Sequence, residues 1–190
     1  MSKLPDNRLA SLPKSVVLVG MMGAGKTSVG RILANKLALP FVDADAEIEA
    51  AAQSTIEEIF AHDGEAVFRS GERRVIARLL DGPVSVIATG GGAFMNADTR
   101  ARIAERGLSI WLRADLDLLL KRVARRKDRP LLKTGDMRET LTRLLAEREP
   151  VYAMADITVD SGEQSAELVA DKVLAALQAH LAAPLQGTGS

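Results

Sequence analysis

The sequence has no cysteine, which excludes disulfide staples, thiolate metal sites and a cysteine nucleophile. It has no excess of either charge: 25 Lys and Arg are matched by 25 Asp and Glu. No overall field therefore draws nucleic acid or an anionic membrane, and any bound anion must be met by local groups. Aromatic residues are few, with one Trp, one Tyr and four Phe in 190 residues, so a series of stacking platforms for bases is missing. No apolar run approaches the roughly 20 residues of a membrane-spanning helix, and the opening stretch MSKLPDNRLASLPKS lacks the apolar centre of a secretory signal. These absences lead us to expect a cytoplasmic protein that uses neither nucleic acid nor membrane. The length suits one domain with a full core.

What is present is a repeated alternation of short β-rich apolar runs and helical stretches. The runs are VVLV (16–19), PFVDAD (40–45), VSVIAT (84–89), LSIWL (108–112) and DITVD (156–160). Strands this apolar are buried on both faces, and the segments between them are long enough for helical crossovers, so an α/β fold with a parallel sheet flanked by helices is expected. Between the second and third runs the chain is longer than a minimal crossover. Ser54 to Glu57 reads as a capping box and Asp63-Gly64 as a break between helices. That excess predicts helices inserted beside the carboxyl edge of the sheet, about 46–80. The basic stretch KRVARRKDRPLLKTGD (121–136) predicts a helix that runs into a mobile loop, a lid at about 124–136. Residues 1–14 and 183–190 read as disordered tails around a single domain at 15–182.

The most informative stretch is Gly20-Met-Met-Gly-Ala-Gly25-Lys26-Thr27, which matches G-x-x-x-x-G-K-[ST] in full and sits between a strand and a helix. Glycines there let backbone N–H groups converge on a polyphosphate, the lysine reaches the β- and γ-phosphates, and the threonine hydroxyl faces Mg²⁺. The expected ligand is a nucleoside triphosphate with magnesium. The loop alone does not separate a switch, a motor, a DNA-processing ATPase and a small-molecule kinase.

Other residues narrow the choice. Alternation along the second strand puts Asp43 and Asp45 on one side, at the carboxyl end of the sheet. One carboxylate then serves Mg²⁺ through water while the other accepts the proton of an incoming hydroxyl, unless both, or Asp45 alone, cap the following helix. Thr89-Gly90-Gly91-Gly92 leaves a backbone that something approaches closely, or is an ordinary turn before a helix capped at Asn96. Arg69 has Glu72 one turn on to aim it and Arg73 as a competitor. Arg129 stands at the start of the basic loop, and Arg148 near the end of a helix whose other face carries Leu141, Leu144 and Leu145. A lone arginine is commonly a solvated surface group, so these three gain meaning only together.

The set GMMGAGKT, FVDAD, FRSGE, TGGGA, RPLL and REPVY, in this order and at these intervals, resembles shikimate kinase, a family of the nucleoside-monophosphate-kinase-like branch of P-loop folds. The resemblance runs from Val16 to about Leu181. It implies a P-loop NTPase fold with sheet order 2-3-1-4-5, and transfer of the γ-phosphoryl group of ATP to the 3-hydroxyl of shikimate. It also implies that Gly23, Ala24, Gly25, Lys26, Thr27 and Ser28 wrap ATP, and that Thr27, with Asp43 through water, holds Mg²⁺. Asp45 would bind the acceptor hydroxyl and serve as base, while Arg69, Gly91 and Arg148 would bind the rest of shikimate. Arg129 would contact the phosphates from the lid, and Arg122 would lie against adenine. A monomer acting on small molecules is expected. The rivals are a gluconate-type kinase of similar fold, and a nucleotide-dependent switch that has lost turnover. His62 and His180 read as helix-surface residues, and Trp111 as core.

Overall fold

The computed structural model describes residues 12–125 and 136–183. The lid expected at 124–136 therefore falls almost wholly outside the described residues, and Arg129 with it. Most of the two expected tails also falls outside them. Residues 12–14 are described: Leu12 is buried against the core, and the Lys14 ammonium donates to the Ala104 carbonyl at 3.1 Å.

Along the chain the elements are β1 (Ser15–Val19), α1 (Lys26–Leu37), β2 (Phe41–Asp43), α2 (Ala44–Ala52), α3 (Ile56–His62), α4 (Gly64–Asp81) and β3 (Val86–Ala88). A 3-10 turn (Ala93–Met95) then leads into α5 (Ala97–Arg106), β4 (Gly107–Arg113), α6 (Leu116–Val123), α7 (Met137–Tyr152), β5 (Ile157–Asp160) and α8 (Ala166–Ala182). The five strands pair in parallel in the order β2-β3-β1-β4-β5. That is the order the resemblance implied. Burial follows position in the sheet: every residue of β1 and β3 is buried, whereas edge strand β5 alternates buried and exposed. Strands covered on both faces must be apolar throughout, and an edge strand need not be.

All five strands point the same way, so the segments that follow β1, β2 and β3 emerge at one edge of the sheet. The chain runs from β1 out to β2, returns through β3 beside β1, and then passes over to β4 on β1's far side. Such a reversal opens a crevice at the carboxyl ends of the strands, where open α/β sheets bind ligands.

Helices α2, α3 and α4 stand beside that crevice and hold a small core of their own, formed by Ile48, Ile59, Phe68 and Val75. The cap of α3 is one residue later than the sequence suggested. Thr55 is the N-cap, with its side chain accepting from Glu58 N–H at 3.1 Å and Glu58 accepting from Thr55 N–H at 2.8 Å. Ser54 adds a hydroxyl bond to the same Glu58 carboxylate at 2.9 Å, so both adjacent hydroxyl residues engage one glutamate. Asp63 closes α3, and Gly64, at φ +84°, starts α4 in a left-handed conformation that favours glycine. Asn96 caps α5 through Thr99 N–H at 3.0 Å, and Trp111 is core, 5.8 Å from the Tyr152 ring. His62 and His180 are exposed.

Candidate active site

The glycine-rich loop joins β1 to α1. Gly25, the residue before α1, takes φ +96°, and Gly20 and Gly23 are also left-handed, at +141° and +83°. An alanine Cβ at Gly20 would lie 2.7 Å from the Leu112 carbonyl oxygen. The loop is therefore shaped by main chain packed on main chain. Buried Lys26 reaches back across the loop and donates to the carbonyls of Gly20 at 2.7 Å and Met21 at 2.8 Å.

Two more contacts fix the loop from outside. The Arg122 guanidinium donates to the Gly23 carbonyl at 3.1 Å and to the Gly162 carbonyl at 3.0 Å, joining the loop to the segment after β5. The Ser161 hydroxyl donates to the Ala24 carbonyl at 2.7 Å. Around these groups lies a cavity of about 440 Å³, lined by Gly23, Gly25, Lys26, Thr27, Ser28 and Arg122 among others.

Strand β2 ends sooner than alternation predicted. Asp43 is its last residue and the N-cap of α2, with one carboxylate oxygen accepting from Asp45 N–H at 3.0 Å and Ala46 N–H at 3.3 Å. Asp45 is thus in the first turn of a helix. The two carboxylates converge because the chain turns at a capping aspartate, not because they share a strand face. The other Asp43 oxygen accepts the Thr27 hydroxyl at 3.0 Å. Capping and facing the loop, which the sequence posed as alternatives, are both done by Asp43.

The three glycines after β3 make room for side chains. A Cβ on Gly90 would sit 2.8 Å from an Asp45 carboxylate oxygen, one on Gly91 3.1 Å from Arg148 Nη1, and one on Gly92 would overlap the Arg69 guanidinium. Asp45, Arg69 and Arg148 come from α2, α4 and α7 and meet only here. Arg69 is aimed by Glu72, its Nη1 donating to Glu72 Oε1 at 2.9 Å, while Arg73 turns away to Asp98 at 3.8 Å. Glu72 is buried, and desolvation pushes its carboxyl above the usual range despite the opposing pull of Arg69. Arg148 is also buried; Glu72 Oε2 and Arg148 Nη1 have no hydrogen-bond partner among the described residues.

These groups line a second cavity, of about 420 Å³, walled also by Met22, Ile56, Phe60 and Phe68. The two cavities have Thr27, Asp43, Asp45, Gly90 and Gly91 in common. One chamber is thus floored by a phosphate-binding loop, the other is walled by guanidinium groups, and two carboxylates, Asp43 and Asp45, stand where they meet.

Comparison with known proteins agrees with this geometry. The family profile described as shikimate kinase matches residues 22–178. The chain belongs to the shikimate kinase family. A shikimate kinase of Bradyrhizobium diazoefficiens is 59% identical over 168 residues, covering 88% of this chain and 81% of the relative. One from Rhodopseudomonas palustris is 58% identical over 174 residues, covering 91% and 86%. Among solved structures, a shikimate kinase from Acinetobacter baumannii in complex with shikimate superposes with a TM-score of 0.87 at 39% identity, covering 92% of this chain and 98% of that one.

Within the shikimate kinase frame, the structure brings Lys26, Thr27, Asp43, Asp45, Arg69, Gly91, Arg122 and Arg148 to one cleft. Sequence reasoning named Glu72 only as a partner of Arg69, and it missed Met22, Phe60, Phe68 and Tyr152. Phe68 and Tyr152 lie inside the FRSGE and REPVY segments that carried the resemblance. The available signal was the one-turn spacing of Tyr152 from Arg148; Phe68, the immediate neighbour of Arg69, had no helical spacing to mark it.

Proposed function

We propose that the chain transfers the γ-phosphoryl group of ATP to the 3-hydroxyl of shikimate, giving shikimate 3-phosphate and ADP. The observation that carries this reading is the meeting of the two cavities at Asp45. An in-line transfer needs donor and acceptor to approach from opposite sides of one point, and it needs charge neutralisation more than covalent help.

The loop residues Gly23 to Ser28 hold the triphosphate, their N–H groups and the α1 N-terminus supplying positive field. Lys26 exchanges its carbonyl partners for phosphate oxygens as the nucleotide settles. Arg122 already spends its donors on two carbonyls, so it shapes the nucleotide chamber and offers its guanidinium face to the base. The resemblance assigns Arg129 to the phosphates from the lid.

Thr27 and Asp43 would hold Mg²⁺, the aspartate through water. Their hydroxyl and carboxylate are hard oxygen donors 3.0 Å apart beside the phosphate loop. An ion held by these two residues would supply charge neutralisation to the phosphates.

On the acceptor side Arg69 and Arg148 take the shikimate carboxylate, because two guanidinium forks match a carboxylate in geometry as well as charge. Gly91 lets the ring approach the backbone, and Asp45 receives the 3-hydroxyl. The hydroxyl oxygen bonds to the γ-phosphorus, the bond to the β,γ-bridging oxygen breaks with its electron pair leaving on ADP, and the hydroxyl proton passes to Asp45. The same reading needs no second copy of the chain, since the cavity-lining residues all come from one chain.

The test is ADP release with Mg-ATP in the presence of shikimate, gluconate or no acceptor. Shikimate should raise the rate at least a hundredfold over the other two arms. A rate indifferent to shikimate would move the switch or another acceptor to the front.

A further inference from the structure

Tyr152 is the sole tyrosine of the chain, and it lies fully buried behind the acceptor chamber. Its hydroxyl donates to the Gly91 carbonyl, and the Met21 sulfur of the phosphate loop is 3.8 Å away. It sits one helical turn after Arg148 on α7, so the two side chains share a face. A buried hydroxyl against a backbone carbonyl is costly to leave unpaired, and nothing in loop transfer itself calls for a phenol there.

We propose that Tyr152 is a positioning residue for the acceptor. It fixes the Gly91–Gly92 peptide and, from the same helix face, the Arg148 guanidinium. A trans peptide carries its N–H on the edge opposite its C=O, so holding the Gly91 carbonyl also sets the direction of the Gly92 N–H. The three-glycine segment has no side chains of its own to hold it in place. The Gly90 and Gly92 carbonyls accept backbone N–H groups of Ala93 and Met95, and the Tyr152 hydroxyl adds a bond from a fixed ring to the carbonyl between them. Burial pushes the phenol up to about 12, so it remains a donor throughout the working range.

This inference rests on the reading of the chamber as the shikimate site, and the experiment separates the two. Wild type and Tyr152→Phe are compared by initial rates with each substrate varied in turn. The variant should show a KM for shikimate raised about tenfold, the effect of one lost buried hydrogen bond, with the KM for ATP within about twofold. Combining it with Arg148→Lys should raise that KM by less than the product of the single effects, because the two act on one arrangement. A variant with both KM values unchanged and only a lower melting temperature overturns the proposal and leaves the tyrosine a core residue. A wild-type enzyme inert toward shikimate overturns the reading of the site and this inference with it.

A second measurement does not depend on the variant folding. Full-length protein made with 3-fluorotyrosine carries one fluorine, at residue 152. Saturating shikimate should move its ¹⁹F resonance, and a resonance that stays in place on shikimate binding overturns the proposal.

Discussion

The nucleotide side and the acceptor side of the cleft differ in what they are made of. On the nucleotide side the shape is backbone: three left-handed glycines, a lysine turned onto its own loop carbonyls, and an arginine and a serine that donate to loop carbonyls. On the acceptor side it is side chains from α2, α4 and α7 meeting over glycines that leave them room. There, two buried polar atoms, Glu72 Oε2 and Arg148 Nη1, have no partner among the described residues. Every nucleoside triphosphate presents the same phosphates, so a backbone cradle serves. One particular hydroxylated carboxylate must be told from others, and discrimination of that kind comes from polar groups that are left unpaired by the wrong ligand.

The comparison breaks most sharply at Gly92. Its φ of −94° and ψ of −7° suit any residue, so Gly92→Ala tests the close approach of Arg69 without backbone strain. We expect kcat/KM for shikimate to fall about a hundredfold as the guanidinium is displaced, with ADP affinity unchanged by calorimetry. A variant that keeps its kcat/KM would mean that the room at Gly92 has no bearing on the acceptor.

Arg122→Ala should do the opposite. Losing the two carbonyl contacts raises the KM for ATP about tenfold and leaves the KM for shikimate within about twofold, by initial rates with each substrate varied. Equal effects on both would show that the halves are not separable.

The smallest effect is on stability. Burial raises the Glu72 carboxyl above its ordinary value, so the folded state binds the proton more tightly than the unfolded state. Its contribution is therefore most favourable in acid and declines as pH rises from about 4.3 through the raised value. Glu72→Gln should flatten that decline when melting temperature is followed from pH 4 to 8, while raising the KM for shikimate severalfold through a less firmly aimed Arg69.

The same difference in material explains what could be read from the sequence. The phosphate loop is contiguous, so eight residues announce it, and β1, β3 and β4 are legible because central parallel strands must be apolar, while edge strands β2 and β5 still read as short β-rich runs. Asp43 and Asp45 both face the cleft although the second strand ends at Asp43, since a capping aspartate and a strand end look alike in sequence. The shift of a helix cap from Ser54 to Thr55 is of the same kind: both hydroxyls bind Glu58, and only geometry decides which one caps. The acceptor side is dispersed over about 100 residues, between Asp45 and Arg148. No local spacing joins Arg69 to Gly92 or Tyr152 to Gly91, and long-range packing is what a single sequence hides. Local spacing picked out Arg69 with Glu72 one turn on, the resemblance gave the arginines a joint role, and Tyr152 behind Arg148 was not singled out.

The central claim is that Asp45 stands where the two chambers meet and takes the proton of the acceptor hydroxyl. It is tested most directly by a rapid-quench single turnover of wild type and Asp45→Asn with saturating shikimate and Mg-ATP, alongside the shikimate Kd of each. The account predicts a phosphoryl-transfer rate at least a hundredfold lower in the variant, with Kd raised no more than about tenfold. A variant that transfers the phosphoryl group at the wild-type rate would contradict it.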